Sequence, residues 1–200
     1  MKKNALLIFA RNPYSENIKT RLAIDLGKKK ALEIYNSLLE ITYESTKNLP
    51  FPVIIYWTES IPVLTIFQDY NFIHKIQSRG DLGERIVSAL KEEFLCFNSI
   101  CIMGSDCPEL SEKKINKAFL ILESTDIVIG PSIDGGYYLL GLNKFNAELF
   151  ENIQWSTSTV FSKTLEIIKK LNLKYVLQEN LRDVDFASDY FALQSKNILK

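Results

Sequence analysis

The stretch 100-ICIMGSDCPEL-110 joins an apolar run to an acid at the point where a strand would end. The four residues from Ile100 onward are apolar, as in a strand that is covered on both faces of a sheet. Gly104 ends this run, and Pro108 forces a turn shortly after Asp106. In open α/β sheets the ligand binds outside the carboxyl ends of the strands. An acid at this position therefore marks a candidate functional site.

Similar apolar runs recur along the chain and alternate with helical patterns. Strands are predicted at 4–10, 52–58, 72–77, 99–103, 126–130 and 174–178. Apolar residues at helical spacing predict helices over 81–97 and 111–122. This alternation predicts an α/β fold, a three-layer sandwich with helices on both faces of a mainly parallel central sheet. Because the chain has no repeat and no Pro/Gly-rich linker, we expect one domain over residues 1–200.

The composition argues against several classes of protein. Basic and acidic residues both number 24, so no overall positive charge would recruit nucleic acid and any anion site must be local. No apolar run approaches the roughly 20 residues that cross a bilayer. The chain has three cysteines without CxxC spacing and one histidine, so we do not expect a zinc cluster. A reducing, cytoplasmic compartment is the simplest expectation, and the oligomeric state stays open.

The first loop, 11-RNPYSENIKTRLA-23, carries the cations Arg11, Lys19 and Arg21 after the first predicted strand. A helix is expected to open at Lys19, and its backbone amides would join these cations in facing one spot. This pattern is typical of a phosphate or pyrophosphate cradle, and a solvated basic helix start is the alternative. The chain contains neither GxGxxG nor GxxxxGK[ST], which argues against a Rossmann dinucleotide site and a P-loop.

Two acids follow predicted strands at the same edge of the sheet. Asp106 is suited to bind a hard cation such as Mg²⁺, and it is equally suited to cap a helix or form a turn. Asp134 stands before Gly135 and Gly136, which permit positive φ and the close approach of a ligand. A plain tight turn explains these glycines as well, but it gives Asp134 no task.

A third acidic group lies in 181-LRDVDFASDY-190. In an extended backbone Asp183 and Asp185 point the same way, so one edge of this segment could complete a metal site. Otherwise these acids are a helix N-cap and its neighbours, with Asp189 in the first turn.

Two aromatic positions have simpler interpretations. Trp155 is predicted to be a core or lid aromatic, with Ser156 or Thr157 capping the next helix. His74 lies inside a predicted strand, and we assign it no catalytic role.

Taken together, these stretches resemble one family. The resemblance is carried, in chain order, by FARNP, KTRLA, QSRGDLGERI, MGSDCPEL, DIVIGPSIDGGYYLLGL, IQWSTSTV and LRDVDFASD. They resemble the bacterial GT-A-like proteins of family DUF2064, the radical-SAM/selenodomain-associated transferases 1. SDCP and DGGYYLLGL are the most specific parts. More distantly the chain is similar to 2-phospholactate guanylyltransferase and the molybdenum-cofactor guanylyltransferases, within the nucleotide-diphospho-sugar transferase superfamily.

The resemblance implies a GT-A-like transferase that uses a nucleoside triphosphate or a nucleotide sugar, a small-molecule acceptor and Mg²⁺ or Mn²⁺. It implies that Arg11, Lys19 and Arg21 hold phosphates. It also implies that Asp106 holds the metal, with Asp185 as the best candidate for the second carboxylate.

The same resemblance assigns the remaining site residues. The loop 79-RGDLGER-85 would lie near the base or ribose, and Asp134 with the glycines after it would line the acceptor side. The nucleotide-binding residues expected in the loop are Gly80, Asp81 and Arg85, those on the acceptor side are Asp134, Gly135 and Gly136, and those expected to carry catalysis are Lys19, Asp106 and Asp134.

The first loop departs from the family pattern. The family usually has a glycine between the proline and the lysine, whereas this chain reads 12-NPYSENIKT-20, with the glycine replaced within 14–17 and Glu16 adding a negative charge. We therefore expect weak triphosphate binding or a rearranged loop. Glu16 also favours a non-catalytic nucleotide-binding or regulatory protein, which the acids Asp106, Asp134 and Asp185 disfavour. A structural α/β interaction module, which would bind no nucleotide, is the third possibility.

Overall fold

The computed structural model describes residues 3–16, 18–69 and 71–199. Within these residues seven strands form one sheet: β1 Asn4–Ala10, β2 Val53–Trp57, β3 Phe72–Ile76, β4 Ser99–Gly104, β5 Ile127–Pro131, β6 Tyr137–Leu142 and β7 Tyr175–Leu177. Their order across the sheet is β3-β2-β1-β4-β6-β5-β7. β6 runs antiparallel to β4 and β5, and the other neighbouring pairs are parallel. The predicted α/β class with a mainly parallel sheet is confirmed.

Helices connect most of these strands. In the described ranges they are α1 Thr20–Leu26, α2 Lys28–Thr46, α3 Leu82–Glu93, α4 Glu112–Ile121, α5 Val160–Lys170 and α6 Ala187–Gln194, with a short 3₁₀ helix at Ala147–Phe150. None of these described helices has the length and hydrophobicity that crossing a bilayer would require.

The sheet is covered on both faces because its side chains alternate between two cores. On β1, Leu6 and Ile8 belong to a buried cluster with residues of α2 and α4. Their neighbours Ala5 and Leu7 belong to a second cluster with residues of α3 and α5. Full burial of a leucine or isoleucine side chain stabilises a fold by about 1.5–3 kcal/mol. The predicted three-layer arrangement is therefore confirmed.

The helix predicted over 81–97 ends earlier than its apolar pattern suggested. It ends at Glu93, and Leu95 beyond it is 84% exposed. The helix predicted over 111–122 is α4, with Ser111 in the N-cap position but without a capping side-chain hydrogen bond.

The predicted cap of α5 was wrong. The helix begins at Val160, and Thr159 is its N-cap residue. Ser156 adopts a left-handed conformation (φ 62°), and the Thr157 hydroxyl bonds to Thr159 in the turn before the helix. A serine or threonine near a helix start does not by itself locate the first helical residue, because these side chains also stabilise turns.

His74 has a structural task. Its Nδ1 accepts a hydrogen bond from Trp57 Nε1 (2.9 Å), so the other ring nitrogen carries the proton and donates to the Phe67 carbonyl oxygen (2.8 Å). Both ring nitrogens of this β3 residue are therefore occupied by hydrogen bonds within the protein.

Sheet pairing brings distant loops together at the carboxyl ends of the strands. β1 and β4 are parallel neighbours, with Phe9 opposite Gly104, so the loops that follow both strands leave the sheet side by side. The segment 181–185 joins them, because Leu181 pairs with Ser132 beyond β5 and the Val184 amide donates to the Asp106 carbonyl oxygen (2.9 Å).

Candidate active site

A cleft of about 820 Å³ opens at the carboxyl ends of β1 and β4, within the usual size range of small-molecule sites. Among the described residues, its walls carry four basic side chains, Arg11, Lys19, Arg21 and Arg85, and four acidic ones, Asp106, Asp134, Asp183 and Asp185. Charges of both signs therefore face one cavity. Such a cavity suits a ligand that is itself anionic and metal-bound.

Lys19 joins two of these acids. Its Nζ donates to Asp106 Oδ2 at 2.6 Å and to Asp185 Oδ1 at 2.9 Å, while its own side chain is only 7% exposed. Arg21 approaches the other oxygen of Asp185 at 3.4 Å. Two carboxylates from distant parts of the chain thus converge on one ammonium.

Neighbouring charges keep Lys19 and Asp185 ionised. Burial alone would lower the pKa of Lys19, but the charges and hydrogen bonds of Asp106 and Asp185 outweigh burial and raise it. Burial alone would raise the pKa of Asp185, but Lys19 and the nearby arginines Arg21 and Arg11 lower it below its usual range. Both partners therefore remain ionised at neutral pH.

The backbone at Lys19 is unusual. Lys19 precedes α1 in a left-handed conformation (φ 44°, ψ 52°), which a residue other than glycine seldom adopts. Its carbonyl oxygen accepts from the Ala23 amide at 2.8 Å, so the residue closes the first turn of α1. α1 begins at Thr20, next to the position where the sequence predicted a helix to open. Unfavourable backbone conformations of this kind cluster at functional sites.

Asp106 forms an ion pair at the end of β4. Its carboxylate pairs with Lys19, and the nearest helix in sequence, α4, begins only at Glu112. A Cβ atom on Gly104 would lie 2.7 Å from Asp106 Oδ1, so the glycine leaves room for this carboxylate at the end of β4.

Asp183 lies in the same cleft in a different environment. Burial, followed by the charges of Asp106 and Asp134, raises its pKa to about 8. Asp183 and Asp185 therefore both line the cleft, as their alternation predicted, but the pKa of the ion-paired Asp185 is lowered and the pKa of Asp183 is raised. Burial also raises the pKa of the neighbouring Cys107 thiol, which makes this cysteine a poor nucleophile.

Tyr35 on α2 is a site residue that the sequence did not reveal. Its hydroxyl accepts from the Arg11 amide (2.8 Å) and donates to the Arg11 carbonyl oxygen (2.9 Å). The Ser105 hydroxyl lies 3.4 Å from the Tyr35 hydroxyl oxygen. Tyr35 thus ties the first loop to the loop after β4. The available sign was a polar group among the buried apolar residues of α2, such as Ile34 and Leu38.

The first loop is held without the family glycine. The Asn12 side chain donates to Ser60 and accepts from the Tyr14 backbone amide. The backbone amide of Asn12 donates to the Thr58 hydroxyl (3.1 Å). Glu16 is exposed and is not among the residues that line the cleft, while Asn17 lies outside the described residues. The expectation of weak triphosphate binding stays a prediction.

The loop before α3 presents one of its three expected nucleotide-binding residues to the cleft. Arg85 lines the cleft, with Nε donating to the Gly80 carbonyl oxygen at 2.8 Å. Asp81 instead caps α3: its carboxylate accepts from the Glu84 amide (2.9 Å), and Glu84 accepts from the Asp81 amide (2.8 Å). Gly80 (φ 112°) and Asp81 thus position the helix that carries Arg85.

Asp134 has a task in the turn between β5 and β6. Its Oδ1 accepts from the Gly136 amide (3.0 Å) and from the Ser132 hydroxyl. The expectation that a plain turn gives Asp134 no task was therefore wrong, because the carboxylate itself stabilises the turn. Asp134 and Gly136 line the cleft. Gly135 (φ 91°) instead faces the following segment, where its Cβ would lie 2.1 Å from the Ser158 carbonyl oxygen.

The segment 153–159, which we call the lid segment, carries Trp155 over this side of the cleft. A Cβ atom on Gly83 in α3 would lie 2.0 Å from Trp155 Nε1, so the indole rests directly on the helix backbone. Trp155 also stacks on Phe150 with 6.4 Å between ring centroids. The two glycines Gly83 and Gly135 allow the lid segment to lie close to both walls.

The residues present fit a divalent cation. Asp106 and Asp185 already direct one oxygen each at a single cation, the Lys19 ammonium. Mg²⁺ is commonly held by one or two carboxylates together with phosphate oxygens and water, and carboxylates also suit Mn²⁺. Among the described residues no three His, Cys, Asp or Glu side chains form a ready metal cage. The other ligands would therefore come from the substrate and water.

Solved structures share this fold. A proposed nucleotide-diphospho-sugar transferase from Desulfovibrio desulfuricans G20 is 28% identical, with a TM-score of 0.90, over 98% of this chain and 88% of that one. The 4-diphosphocytidyl-2C-methyl-D-erythritol synthase of Anaerococcus prevotii DSM 20548 is 11% identical (TM-score 0.64; 98% of both chains). Rv0371c of Mycobacterium tuberculosis H37Rv, solved in complex with manganese, is 11% identical (TM-score 0.58; 96% of this chain and 98% of that one). The last two matches concern the fold alone.

Fold and cleft define the class as the nucleotide-diphospho-sugar transferase superfamily. The sequence model of the family described as "Uncharacterized protein conserved in bacteria (DUF2064)" matches residues 53–157, just over half of the chain. The chain belongs to this family, and the resemblance seen in the sequence is confirmed. The prediction of a transferase agrees with the activity for which the Desulfovibrio desulfuricans protein is named.

Proposed function

We propose that this protein is a divalent-cation-dependent transferase that moves a nucleotidyl or glycosyl group from a nucleoside triphosphate or nucleotide sugar to a small-molecule acceptor. The observation that carries the proposal is the contact of the buried Lys19 ammonium with Asp106 and Asp185 at the carboxyl end of the sheet. The shared fold of nucleotide-diphospho-sugar transferases supports it. The reaction would take place in the cytoplasm.

The donor phosphates would lie beside Arg11, Lys19 and Arg21. Mg²⁺ or Mn²⁺ held by Asp106 and Asp185 would neutralise negative charge on the leaving group. The three cations would hold that group in line with the attacking oxygen. Among the residues expected at the base or ribose, Arg85 lines the cleft. Gly80 and Asp81 would contribute indirectly, by positioning Arg85.

The acceptor would enter on the side of Asp134, Gly136 and Trp155. Its hydroxyl oxygen would attack the donor, and its proton would pass to the Asp134 carboxylate. In nucleotidyl transfer the oxygen bonds to the α-phosphorus and pyrophosphate leaves. In glycosyl transfer it bonds to the anomeric carbon and a nucleoside diphosphate leaves. Gly135 would contribute by letting the lid segment approach.

Slow transfer to water tests this proposal before the acceptor is known. Purified protein is incubated with Mn²⁺ and each nucleoside triphosphate or sugar nucleotide, and products are separated by chromatography. A nucleotidyltransferase would give nucleoside monophosphate and pyrophosphate, whereas a glycosyltransferase would give free sugar and nucleoside diphosphate. Asp106→Asn serves as the inactive control. Tight binding of a donor without either product would instead favour the non-catalytic nucleotide-binding protein, and binding of no donor would contradict the proposal.

A further inference from the structure

We propose that the cleft takes up its divalent cation only together with the donor's phosphates, because Lys19 holds the metal's place until phosphate draws it away. This inference rests on the proposed function. It specifies how the metal and the donor bind. They assemble in the cleft as a cation–phosphate complex, and the protein does not take up the metal before the donor.

The contacts of Lys19 make its ammonium a substitute for the metal. Nζ lies 2.6 Å from one oxygen of Asp106 and 2.9 Å from one oxygen of Asp185, and the lysine side chain is 7% exposed. A divalent cation bound to the same two oxygens would stand a few ångströms from this ammonium. Repulsion between like charges is strong in such a partly buried place, because little water screens it. Free metal therefore competes with a cation that is already covalently attached to the site.

Arg21 strengthens this competition. It approaches the second oxygen of Asp185 at 3.4 Å, so that carboxylate faces cations from two directions. The Arg21 guanidinium also lies over the Phe186 ring, 5.4 Å from its centroid, which keeps the arginine near Asp185. The negative charge of Asp185 is therefore partly balanced by two cations of the chain before any metal arrives.

Phosphate can release the two acids. The side chain of Lys19 has four methylene groups, so its ammonium can turn from the carboxylates to phosphate oxygens in the same cleft while its backbone stays in place. Asp106 and Asp185 would then be available to the metal. Coupling of this kind is reciprocal, so phosphate should raise metal affinity by the same factor by which metal raises phosphate affinity.

Equilibrium dialysis of Mn²⁺ against the protein tests the proposal, with and without inorganic pyrophosphate and with a protein-free pyrophosphate control. We expect the wild-type protein to retain Mn²⁺ at least tenfold more tightly when pyrophosphate is present. Lys19→Met keeps a side chain of similar length and removes the charge. This variant should bind Mn²⁺ alone at least tenfold more tightly than the wild type, and pyrophosphate should add little.

Two controls separate the possible failures. Asp106→Asn should bind Mn²⁺ weakly under every condition. If the wild type binds Mn²⁺ equally well with and without pyrophosphate, the proposal is wrong but the proposed function survives. If neither the wild type nor Lys19→Met retains Mn²⁺ under any condition, this proposal and the proposed metal-dependent function are both wrong. If Lys19→Met binds Mn²⁺ alone no more tightly than the wild type, Lys19 does not hold the metal's place and the proposal is wrong. Lys19→Gln gives the same comparison if the methionine variant fails to fold.

Discussion

Asp106 and Asp185 each depend on the ammonium of Lys19, and Lys19 depends on both of them. In many metal sites two acids would repel each other until the ion arrives. Here Lys19 provides a compensating positive charge within the chain. Removing one member of this group therefore affects stability as well as ligand binding.

Asp106→Asn keeps the shape of the side chain and removes its charge. We expect the free energy of unfolding to fall by about 1–2 kcal/mol, because Lys19 loses a charge-assisted hydrogen bond at a partly exposed position. Metal-dependent donor binding should be lost as well. Urea unfolding and calorimetric titration measure the two effects. Asp25→Asn, at an exposed acid of α1, is the matched control and should change neither. Unchanged donor binding in Asp106→Asn would remove this residue from the site.

Asp183→Asn tests the raised pKa of a buried acid. The native pKa of about 8 lies above the value of about 3.9 for an unfolded aspartate, so folding favours the protonated form. Wild-type stability should therefore decrease as pH rises from about 4 to 8, while the asparagine variant lacks this decrease. Melting temperatures at pH 5 and pH 8.5 measure it. A difference between variant and wild type that does not grow with pH would contradict the assignment.

At the scale of elements, the cleft depends on contacts that α2 and α3 make with neighbouring loops. α2 holds the first loop through one hydroxyl, Tyr35, and α3 offers Gly83 as a surface for Trp155. Neither Tyr35 nor Gly83 is among the residues proposed to hold the phosphates. Both can therefore be changed without removing a proposed ligand contact.

Tyr35→Phe removes the hydroxyl that bonds to both backbone groups of Arg11. We expect a folded protein that loses about 1–3 kcal/mol of stability and binds the donor more weakly, because the first loop is no longer held in place. Thermal unfolding and donor titration measure the change. Tyr43→Phe is the control. It removes a hydroxyl of the same helix, and that hydroxyl donates a hydrogen bond to Asp69. Equal donor affinity in the two variants would mean that Tyr35 serves only the core.

Gly83→Ala places a methyl group where the Trp155 indole now lies. Alanine favours a helix by about 1 kcal/mol over glycine, so the helix itself should not suffer. The indole should be displaced, and acrylamide should quench its fluorescence more readily. Ser88→Ala, at an exposed position of α3, should leave quenching unchanged. If the glycine variant also shows no change, the lid segment does not depend on this contact.

At the scale of the whole molecule, metal and donor should stabilise the fold as a pair. A ligand at one hundred times its Kd stabilises the native state by about 2.7 kcal/mol. We expect a shift of this size in melting experiments with nucleotide and Mg²⁺ or Mn²⁺, and almost none with either component alone. Identical melting curves in Mg²⁺ and in EDTA, with nucleotide present, would contradict metal dependence.

The strands, the helices and the acids at the strand ends were predictable because they follow from short-range patterns. Apolar runs identified six of the seven strands to within two residues, since a covered strand has to be apolar on both faces. The strand-end rule then located Asp106 and Asp134 at the carboxyl edge of the sheet. The family was predictable because segments such as SDCP combine a specific order of residues with a turn.

Only the tertiary structure decided what these acids meet. Lys19 stands 87 residues from Asp106 and 166 from Asp185, and their contact depends on the pairing of β1 with β4 and on the hydrogen bond from Val184 to Asp106. The raised pKa of Asp183 likewise arises from burial and from acids elsewhere in the chain. Local patterns report which surfaces a segment must bury, whereas electrostatic partners are set by how distant segments pack. The sequence by itself therefore determined the kind of fold and the edge that carries the candidate site, and packing decided that Lys19 lies between Asp106 and Asp185.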